Sequence, residues 1–284
     1  MIISASRRTD IPAFYGEWFI NRLKAGYLLV RNPFNPQQVR RVDLTSETLD
    51  GIVFWTKDPA TLLPYLDEID AMGFIYYFQF TLTSYGPDME PHLRPKQEIL
   101  RSFIDLSRRV GSSRVLWRYD PIVFNSEMDC DYHIRIFTHL CQQLSGYTDQ
   151  VIISFVDLYR GIAKTGIREA TAPEIANTAE ALARIAKAQG IEIAACCETH
   201  DLSVYGISKA SCIDQSRIAS LGDSGMPGWQ QRSLREGCGC AASVDVGAYN
   251  TCLHGCIYCY ATRSLQSAAR NHQRHDPLGE HLLP

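Results

Sequence analysis

The sequence lacks any long hydrophobic segment and carries little net charge. No apolar run approaches the roughly 20 residues of a membrane-spanning helix, and the first residues lack the basic-then-apolar order of a secretory signal peptide. The formal net charge of -3 over 284 residues gives no overall attraction to nucleic acid or to an anionic membrane. We therefore expect a cytoplasmic protein that has no membrane partner and for which nucleic acid is not a favoured partner.

Lysine is also scarce, because the basic residues comprise 22 arginines and 6 lysines. Arginine suits forked recognition of carboxylate or phosphate groups, although codon bias in a GC-rich genome would give the same ratio. Linkers, low-complexity stretches and internal repeats are absent too. With 45% hydrophobic side chains, the chain can form one large domain, predicted at residues 1–269 and followed by a polar, loose tail at 270–284.

What the sequence does contain is an alternation of short apolar runs with segments of helical period. This rhythm is typical of an α/β domain with a mainly parallel sheet. About eight strands favour a (βα) barrel, complete or partial, over the alternative of an open doubly wound sheet. Strands are predicted at Ile2–Ser6, Tyr27–Arg31, Gly51–Trp55, Phe74–Thr83, Arg114–Tyr119, Gln150–Val156, Ile191–Cys197 and Ala242–Tyr249, and helices at Pro12–Ala25, Pro59–Met72, Pro95–Arg109, Tyr132–Leu144 and Pro173–Gln189.

Polar residues follow most of the predicted strands. The strand ends of a parallel barrel converge on one mouth, where barrel enzymes carry out their chemistry. Basic residues there suit a carboxylate or phosphate, and acidic residues suit an amine, a ribose hydroxyl or acid–base catalysis. Turn formation, helix capping or a salt bridge at the rim is the alternative for each residue. The candidates are Arg7, Arg8, Asp10, Lys57, Thr81 and Thr83 for cofactor binding, and Arg118, Asp120 and Glu198 for catalysis.

Ten cysteines are unusual for a chain expected in a reducing compartment, which does not favour disulfide frameworks. Metal binding is the natural explanation. The distribution supports it, because half of the cysteines are scattered and half fall within 22 residues. The scattered residues are Cys130, Cys141, Cys196, Cys197 and Cys212, and the clustered ones are Cys238, Cys240, Cys252, Cys256 and Cys259.

Three of the clustered cysteines, Cys252, Cys256 and Cys259, have the spacing C-x3-C-x2-C, with aromatic Tyr258 directly before the third. Three thiolates on one irregular loop can each bind one iron of a 4Fe–4S cluster, which leaves the fourth iron without a protein ligand. An open iron can hold an exogenous ligand and pass an electron to it. The alternative is a structural zinc site that draws on the nearby Cys238 and Cys240.

Cys238 and Cys240 themselves form a weaker C-x-C signal. They can supply two ligands to a second metal, with Cys212, Cys197 or a carboxylate completing the set. A redox-active pair and plain buried thiols are the alternatives. Cys130 and Cys141 lie on or beside a predicted helix and are interpreted as small core side chains.

The string Tyr-x-x-Cys-x-His-Gly-Cys-x-Tyr-Cys-Tyr-Ala, from Tyr249 to Ala261, resembles the signature of the radical S-adenosylmethionine (SAM) superfamily. It is most similar to the spore photoproduct lyase-like branch. Phe80-Thr-Leu-Thr83, Glu90-Pro91 and Arg118-Tyr-Asp-Pro121-Ile122 resemble the same branch. The whole chain resembles the bacterial family called domain of unknown function 1848.

This resemblance implies a 4Fe–4S cluster on the three cysteines, with SAM bound at the open iron and Tyr258 among the cofactor-binding residues. It also implies reductive cleavage of SAM, a radical that attacks a small or nucleotide-like substrate, and a reducing electron donor such as flavodoxin or ferredoxin. In the superfamily the three-cysteine loop follows the first barrel strand. Here it follows the last, so we interpret the chain as a circularly permuted barrel, with Val244–Tyr249 in the first-strand place and Ile2–Ser6 next.

One feature of many relatives is missing, because the sequence has no Gly-Gly-Glu-like motif to hold the methionine amine. The first alternative is therefore an iron–sulfur redox or ligand-binding protein that does not cleave SAM. A nucleic-acid repair lyase, by analogy with the resembling branch, is the second. A zinc-stabilised barrel without catalytic activity is the third.

Overall fold

The computed structural model describes residues 1–159, 162, 165–222 and 238–283. Its strands are β1 Ile2–Ala5, β2 Tyr27–Arg31, β3 Val39–Asp43, β4 Gly51–Thr56, β5 Tyr76–Thr81, β6 Val115–Ile122, β7 Gln150–Phe155, β8 Glu192–Ala195, β9 Ser208–Lys209 and β10 Ser243–Asp245. Its helices are α1 Ile11–Phe14, α2 Gly16–Ala25, α3 Leu66–Ala71, α4 Lys96–Val110, α5 Cys130–Leu144, α6 Ala172–Ala188, α7 Gln215–Leu221 and α8 Leu265–Gln273. Every predicted strand and helix overlaps at least one of these elements.

Eight strands form one parallel sheet in the order β10-β1-β4-β5-β6-β7-β8-β9. The last strand in the chain, β10, pairs in parallel with the first, β1, and places Val244 opposite Ile3. The predicted α/β architecture with a mainly parallel sheet is confirmed.

Among the residues that the structure describes, no strand pairing closes the sheet, so the complete barrel of the prediction is not formed. The reason lies after β9, which has two residues. The chain then leaves the sheet, and the Tyr77 hydroxyl and Gln79 Nε2 donate to the carbonyl of Cys212 at 2.9 and 2.8 Å. A backbone hydrogen bond from Ala241 to Ile213 (3.0 Å) joins this segment to the chain that leads into β10. Of the residues between β9 and β10, the described ones around Cys212 and Ala241 therefore cross one face of the sheet instead of pairing its two edge strands.

The helices α2 to α6 pack on one face of the sheet, here called the outer face. Its strand residues include Ile3, Phe54, Phe78 and Trp117, all fully buried. On α4, Ile99, Phe103 and Leu106 recur with helical spacing and face the same cluster. Burial of each such side chain contributes about 1.5–3 kcal/mol, so this layer is the main source of stability.

The opposite face of the sheet, the inner face, is covered by α7 and by the cysteine-containing segments beside it. Alternate strand residues such as Val53, Tyr77 and Ile152 pack there against Ile213 and Ile218. Burial on both faces explains why these strands read as nearly continuous apolar runs, since parallel strands lie between two layers. Among the helices that the structure describes, none combines the length and apolarity needed to cross a bilayer.

The strand Tyr27–Arg31, counted among the barrel strands, was placed wrongly. It pairs with β3 in a separate antiparallel hairpin, with Leu28 opposite Val42. Strand β3 is exposed at Val39, Arg40 and Arg41, so this hairpin lies outside the main sheet. Apolar content predicts a strand but not the partner of that strand.

The segment after α8, predicted to be a loose tail, packs against α2 and β2. The indole Nε1 of Trp18 donates to the carbonyl of Gly279 (2.9 Å), and the amide of Leu29 donates to Glu280 (2.9 Å). The side chain of Leu282 is 4% exposed. The polar composition of this segment did not predict its packing, because backbone carbonyls, which every residue has, make most of the contacts.

Candidate functional site

The three-cysteine loop, residues 250–261, directly follows β10. It therefore lies at the carboxyl edge of the sheet, the edge where all the parallel strands end. A hydrogen bond from Asn250 N to Ala261 O (2.9 Å) closes its base. Asn250 has a left-handed φ of 54°, which Asn adopts more readily than most residues, and its Oδ1 accepts from Arg263 N at 2.8 Å. The loop thus has irregular backbone but a fixed base.

Cys252, Cys256 and Cys259 are all half-buried on this loop. Burial raises the pKa of Cys252, and the charges of Asp10 and of the other two cysteines raise it further. Burial also raises the pKa of Cys256, to about 12, against an opposing effect of Lys57. The raised pKa values keep the thiols of Cys252 and Cys256 protonated at neutral pH until a metal displaces the protons. Three soft sulfurs on an irregular loop, with no carboxylate on the loop itself, fit an iron–sulfur cluster.

No three His, Cys, Asp or Glu side chains within the described ranges are already arranged to hold a single metal ion. In a 4Fe–4S cluster each thiolate binds a different iron, so its ligands stand further apart than those of one ion. No disulfide joins the ten cysteines, all of which the structure describes.

Asp10, a predicted cofactor-binding residue, holds the loop in place. Its carboxylate accepts from the backbone amides of Ala13 (3.0 Å) and Lys57 (2.7 Å) and contacts Nε2 of His254, inside the loop, at 2.8 Å. The Nδ1 atom of the buried His254 has no hydrogen-bond partner. Asp10 therefore connects the end of β1, the end of β4 and the cysteine loop.

Lys57 lies at the centre of a second contact group, the Lys57 network, formed with Glu90, Lys96 and Tyr258. Its Nζ donates to Glu90 Oε1 (2.7 Å) and to the Tyr258 hydroxyl (2.9 Å), and Glu90 also contacts Lys96 and Tyr258. Burial lowers the pKa of Lys57, but Glu90 and then Cys256 raise it more, so the net pKa is raised. The network places a fixed positive charge beside Cys256.

Arg7 and Arg8 turn back toward β10. Asp245 accepts from the Ser6 hydroxyl at 2.7 Å and from the Arg7 amide at 2.9 Å, and the two guanidinium groups approach it at 3.6 and 3.9 Å. A side chain at Gly247 would meet Ser6 Oγ at 2.0 Å, so this turn requires glycine. The Tyr260 hydroxyl donates to Arg7 O at 2.8 Å, which ties the turn to the cysteine loop.

Arg118 and Asp120 form an ion pair at the end of β6. The guanidinium also donates to Gln79 Oε1 (3.2 Å) and to Cys212 Sγ (3.1 Å). Asp120 accepts from Ser154 on β7, and its charge contributes to the raised pKa of Lys57. The pair therefore lies between the Lys57 network and the cysteines of the inner face.

Glu198 follows β8 and accepts a hydrogen bond from Phe155 N (2.7 Å). Burial raises its pKa to about 7, and the charges of Asp157 and Asp120 add to the effect. A carboxyl group poised near neutral pH can donate or accept a proton. It is the candidate best suited to acid–base chemistry.

The two predicted threonines differ in their surroundings. Thr83 is fully buried and its hydroxyl approaches Glu90 Oε1 at 3.4 Å, so it borders the Lys57 network. Thr81 is half-buried at the end of β5, opposite Arg118 in the strand register. Both lie on the carboxyl edge, but Thr83 has the closer connection to the cysteine loop.

Cys238 and Cys240 lie away from the three-cysteine loop, in a separate group here called the sulfur cluster. Cys212 Sγ is 2.9 Å from Cys196 Sγ, which is 3.9 Å from Cys197 Sγ. Cys240 contacts both Cys212 and Cys238, and Cys238 contacts Cys197. Cys212 and Cys197, two of the alternatives predicted to complete a ligand set with the C-x-C pair, lie in this group, and Cys196, which was not predicted, lies there too.

Sequence reasoning also missed Asp245 and the role of Glu90. Asp245 lay within the predicted strand Ala242–Tyr249 and was not considered as a site residue. An acidic residue in an otherwise apolar strand could have indicated that it binds polar groups such as Ser6 and Arg7. Glu90 was noted only for its resemblance to a family pattern. Its 2% exposure and its two lysine partners depend on tertiary structure, and no local pattern reveals them.

Comparison with known proteins gives one result that covers most of the chain. No curated protein and no solved structure matches it. A family model with the description "Domain of unknown function (DUF1848)" matches residues 2–261, a range that includes every strand of the sheet and the whole three-cysteine loop. The chain therefore belongs to the DUF1848 family.

Proposed function

We propose that this chain is an iron–sulfur enzyme whose Cys252, Cys256 and Cys259 hold a 4Fe–4S cluster, and that it cleaves SAM to begin radical chemistry on a small or nucleotide-like substrate. The observation that carries the proposal is the position of the three-cysteine loop. The loop follows an edge strand that pairs with β1, so it adjoins the ends of β1, β4 and β5. This is the arrangement expected of a permuted, partial radical-SAM-like barrel.

The contacts around the loop support a cofactor site. The cluster, when bound, supplies the electron for cleavage, delivered by a reducing donor such as flavodoxin or ferredoxin. Lys57 holds a positive charge beside Cys256, which favours the net negative charge of thiolates. Tyr258 is buried against Glu90 and shields that side of the loop from water.

Groups on the neighbouring strand ends suit a substrate. Arg118 and Asp120 provide a fixed pair of opposite charges, and Glu198, with its pKa near 7, can hold or release a proton. These residues come from β6 and the segment after β8, across the carboxyl edge from the loop. A substrate bound between the Arg118–Asp120 pair and Glu198 would face the three-cysteine loop.

A second candidate is an iron–sulfur redox or ligand-binding protein that does not cleave SAM. The acidic groups nearest the loop are already engaged, because Asp10 binds His254 and two backbone amides and Glu90 binds two lysines. Neither is available to hold the methionine amine. Calorimetry that finds no SAM affinity, beside reversible one-electron redox, would favour this candidate.

Nucleic-acid repair has weaker support. Arg118 is paired with Asp120, and Arg7 and Arg8 lie beside Asp245, so the arginines of the site are partly neutralised. Phosphate recognition requires affinity that falls steeply with salt. DNA binding that is undetectable, or insensitive to salt, would remove this candidate.

The direct test is anaerobic reconstitution with iron and sulfide, followed by dithionite and SAM. We expect 5′-deoxyadenosine from the wild type, none from Cys256→Ser, and wild-type amounts from Cys141→Ser, which removes a buried helix thiol instead. If the wild type forms no 5′-deoxyadenosine and SAM leaves the EPR signal of the cluster unchanged, SAM cleavage is wrong.

A further inference from the structure

The sulfur cluster brings together five cysteines from three separate parts of the chain. Cys196 and Cys197 follow β8, Cys212 follows β9, and Cys238 and Cys240 precede β10. Their sulfurs form a closed ring of contacts, from Cys212 to Cys196, Cys197, Cys238, Cys240 and back. Cys141 shows that a thiol can serve as a small core residue in this chain, but such residues have no reason to gather at one point.

The backbone at Cys197 contributes to this convergence. Successive side chains of a strand point to opposite faces, so Cys196 and Cys197 would normally point apart. Cys197 has a left-handed φ of 55°, which is rare for a residue other than Gly, Asn or Asp. The turn brings both sulfurs to one side, 3.9 Å apart.

The surroundings also suit an anionic group. The buried guanidinium of Arg118 donates to Cys212 Sγ at 3.1 Å, and the amide of Ile213 donates to Cys240 Sγ at 3.4 Å. Hydrogen bonds donated to a metal-bound sulfur orient that ligand and tune the metal. A cluster of neutral thiols would not need a buried cation.

We infer that the sulfur cluster is a second metal site, in which four thiolates drawn from Cys196, Cys197, Cys212, Cys238 and Cys240 hold a tetrahedral zinc ion or an iron–sulfur cluster. Four-sulfur tetrahedral ligation is characteristic of these two centres. The site is separate from the three-cysteine loop, and its existence does not depend on the function proposed for that loop. Its place on the inner face, in contact with Arg118, puts it directly beside the proposed substrate groups.

No site for a single metal ion is preformed among the described residues, and two sulfur distances show what adjustment a metal would require. With Zn–S bonds of about 2.3 Å, two thiolates of a tetrahedral site stand about 3.8 Å apart. The Cys196–Cys197 distance of 3.9 Å already matches this, whereas the 2.9 Å between Cys196 and Cys212 is shorter. Metal binding between Cys196 and Cys212 therefore requires this contact to lengthen by about 1 Å.

The test uses the full chain with Cys252, Cys256 and Cys259 all changed to Ser, so that any remaining centre belongs to the sulfur cluster. We expect this variant, purified without air, to keep about one thiolate-bound centre per chain. Zinc without labile sulfide identifies a single ion, and iron with labile sulfide identifies an iron–sulfur cluster. Adding Cys196→Ser, Cys212→Ser and Cys240→Ser should abolish it, whereas adding Cys130→Ser and Cys141→Ser should not.

A second measurement avoids dependence on metal acquired during expression. The variant with Cys252, Cys256 and Cys259 changed to Ser, here called the loop variant, is stripped of metal under reducing conditions and titrated with Co²⁺. It should develop Co²⁺–thiolate charge-transfer bands. The inference is wrong if the loop variant, folded by circular dichroism, retains no metal and gives no such bands. It is also wrong if mass spectrometry finds a Cys196–Cys212 disulfide in protein purified without air. If the loop variant contains metal but the three-cysteine loop of the wild type binds none, this inference stands and the proposed 4Fe–4S cluster is wrong.

Discussion

Glu90 is a buried carboxylate at the carboxyl edge with two lysine partners. It is 2% exposed and contacts Lys57, Lys96 and Tyr258. Burial by itself would raise its pKa above the ordinary value of 4.5. The two ammonium groups together outweigh burial and lower the pKa to about 2. Its contribution to stability is therefore complete above pH 4.5 and is lost as the pH falls toward 2.

Replacing Glu90 with Gln should destabilise the protein by about 3 kcal/mol, the lower end of the range for a broken buried pair, because two half-buried lysines lose their counter-charge. Urea unfolding at pH 7 measures the change. Glu98→Gln, which removes an exposed partner of Arg94, is the matched control and should change stability by about 0.5 kcal/mol or less. The wild type should also lose stability between pH 4.5 and 2 more steeply than Glu90→Gln, and equal slopes would contradict the assigned pKa.

Glu198 should show the opposite dependence on pH. Its folded pKa of about 7 lies above the ordinary 4.5, so the folded state holds a proton that the unfolded state has released between these values. The wild type should lose on the order of 2 kcal/mol as the pH rises through this window. Glu198→Gln removes the titration and should abolish the loss.

Unfolding midpoints in urea at pH 5 and pH 8 measure the effect at Glu198. The exposed Glu192→Gln, at the start of β8, is the control and should retain the wild-type dependence on pH. A pH dependence that persists unchanged in Glu198→Gln would assign the titration to another group.

At the scale of elements, the sequence predicted most strands because their residues are buried on two faces. Strand β3 was missed because Arg40 and Arg41 interrupt its apolar pattern. Its first three residues are exposed. Strand β9 has two residues and gives no periodic signal. The position of Cys196 depends on the left-handed turn at Cys197, which no local pattern of side chains encodes. Local sequence thus predicted elements, and tertiary contacts decided their partners.

The docked segment after α8 offers a matched pair of leucines. Leu282 is 4% exposed and packs with the outer-face core, whereas Leu278 is 71% exposed. Leu282→Ala should lower the free energy of unfolding by about 2 kcal/mol, the lower end of the range for buried leucines, since it lies near a chain end. Leu278→Ala should have little effect. Equal changes in urea unfolding would show that the segment does not pack stably.

At the scale of the whole molecule, the strands of the sheet differ in how firmly they are held. β4 to β7 are paired on both sides and covered on both faces, whereas β9 and β10 are short edge strands. The three-cysteine loop joins β10 to the segment after β5, since Ile257 N donates to Met89 O (3.0 Å) and His92 N to His254 O (3.2 Å). A metal bound on the loop would therefore stabilise an edge against a central strand.

Amide hydrogen exchange of the metal-loaded wild type and of Cys256→Ser tests this coupling. Amides of β4 to β7 should be the most protected in both, because local opening begins at edges and loops. Loss of metal should speed exchange in residues 250–261 and 84–92 together, since hydrogen bonds join them, and leave the β2–β3 hairpin unchanged as an internal control. Faster exchange confined to the loop would show that the two segments are not coupled. Faster exchange throughout, hairpin included, would mean that the substitution destabilises the whole fold and that the loop has no special connection to β5.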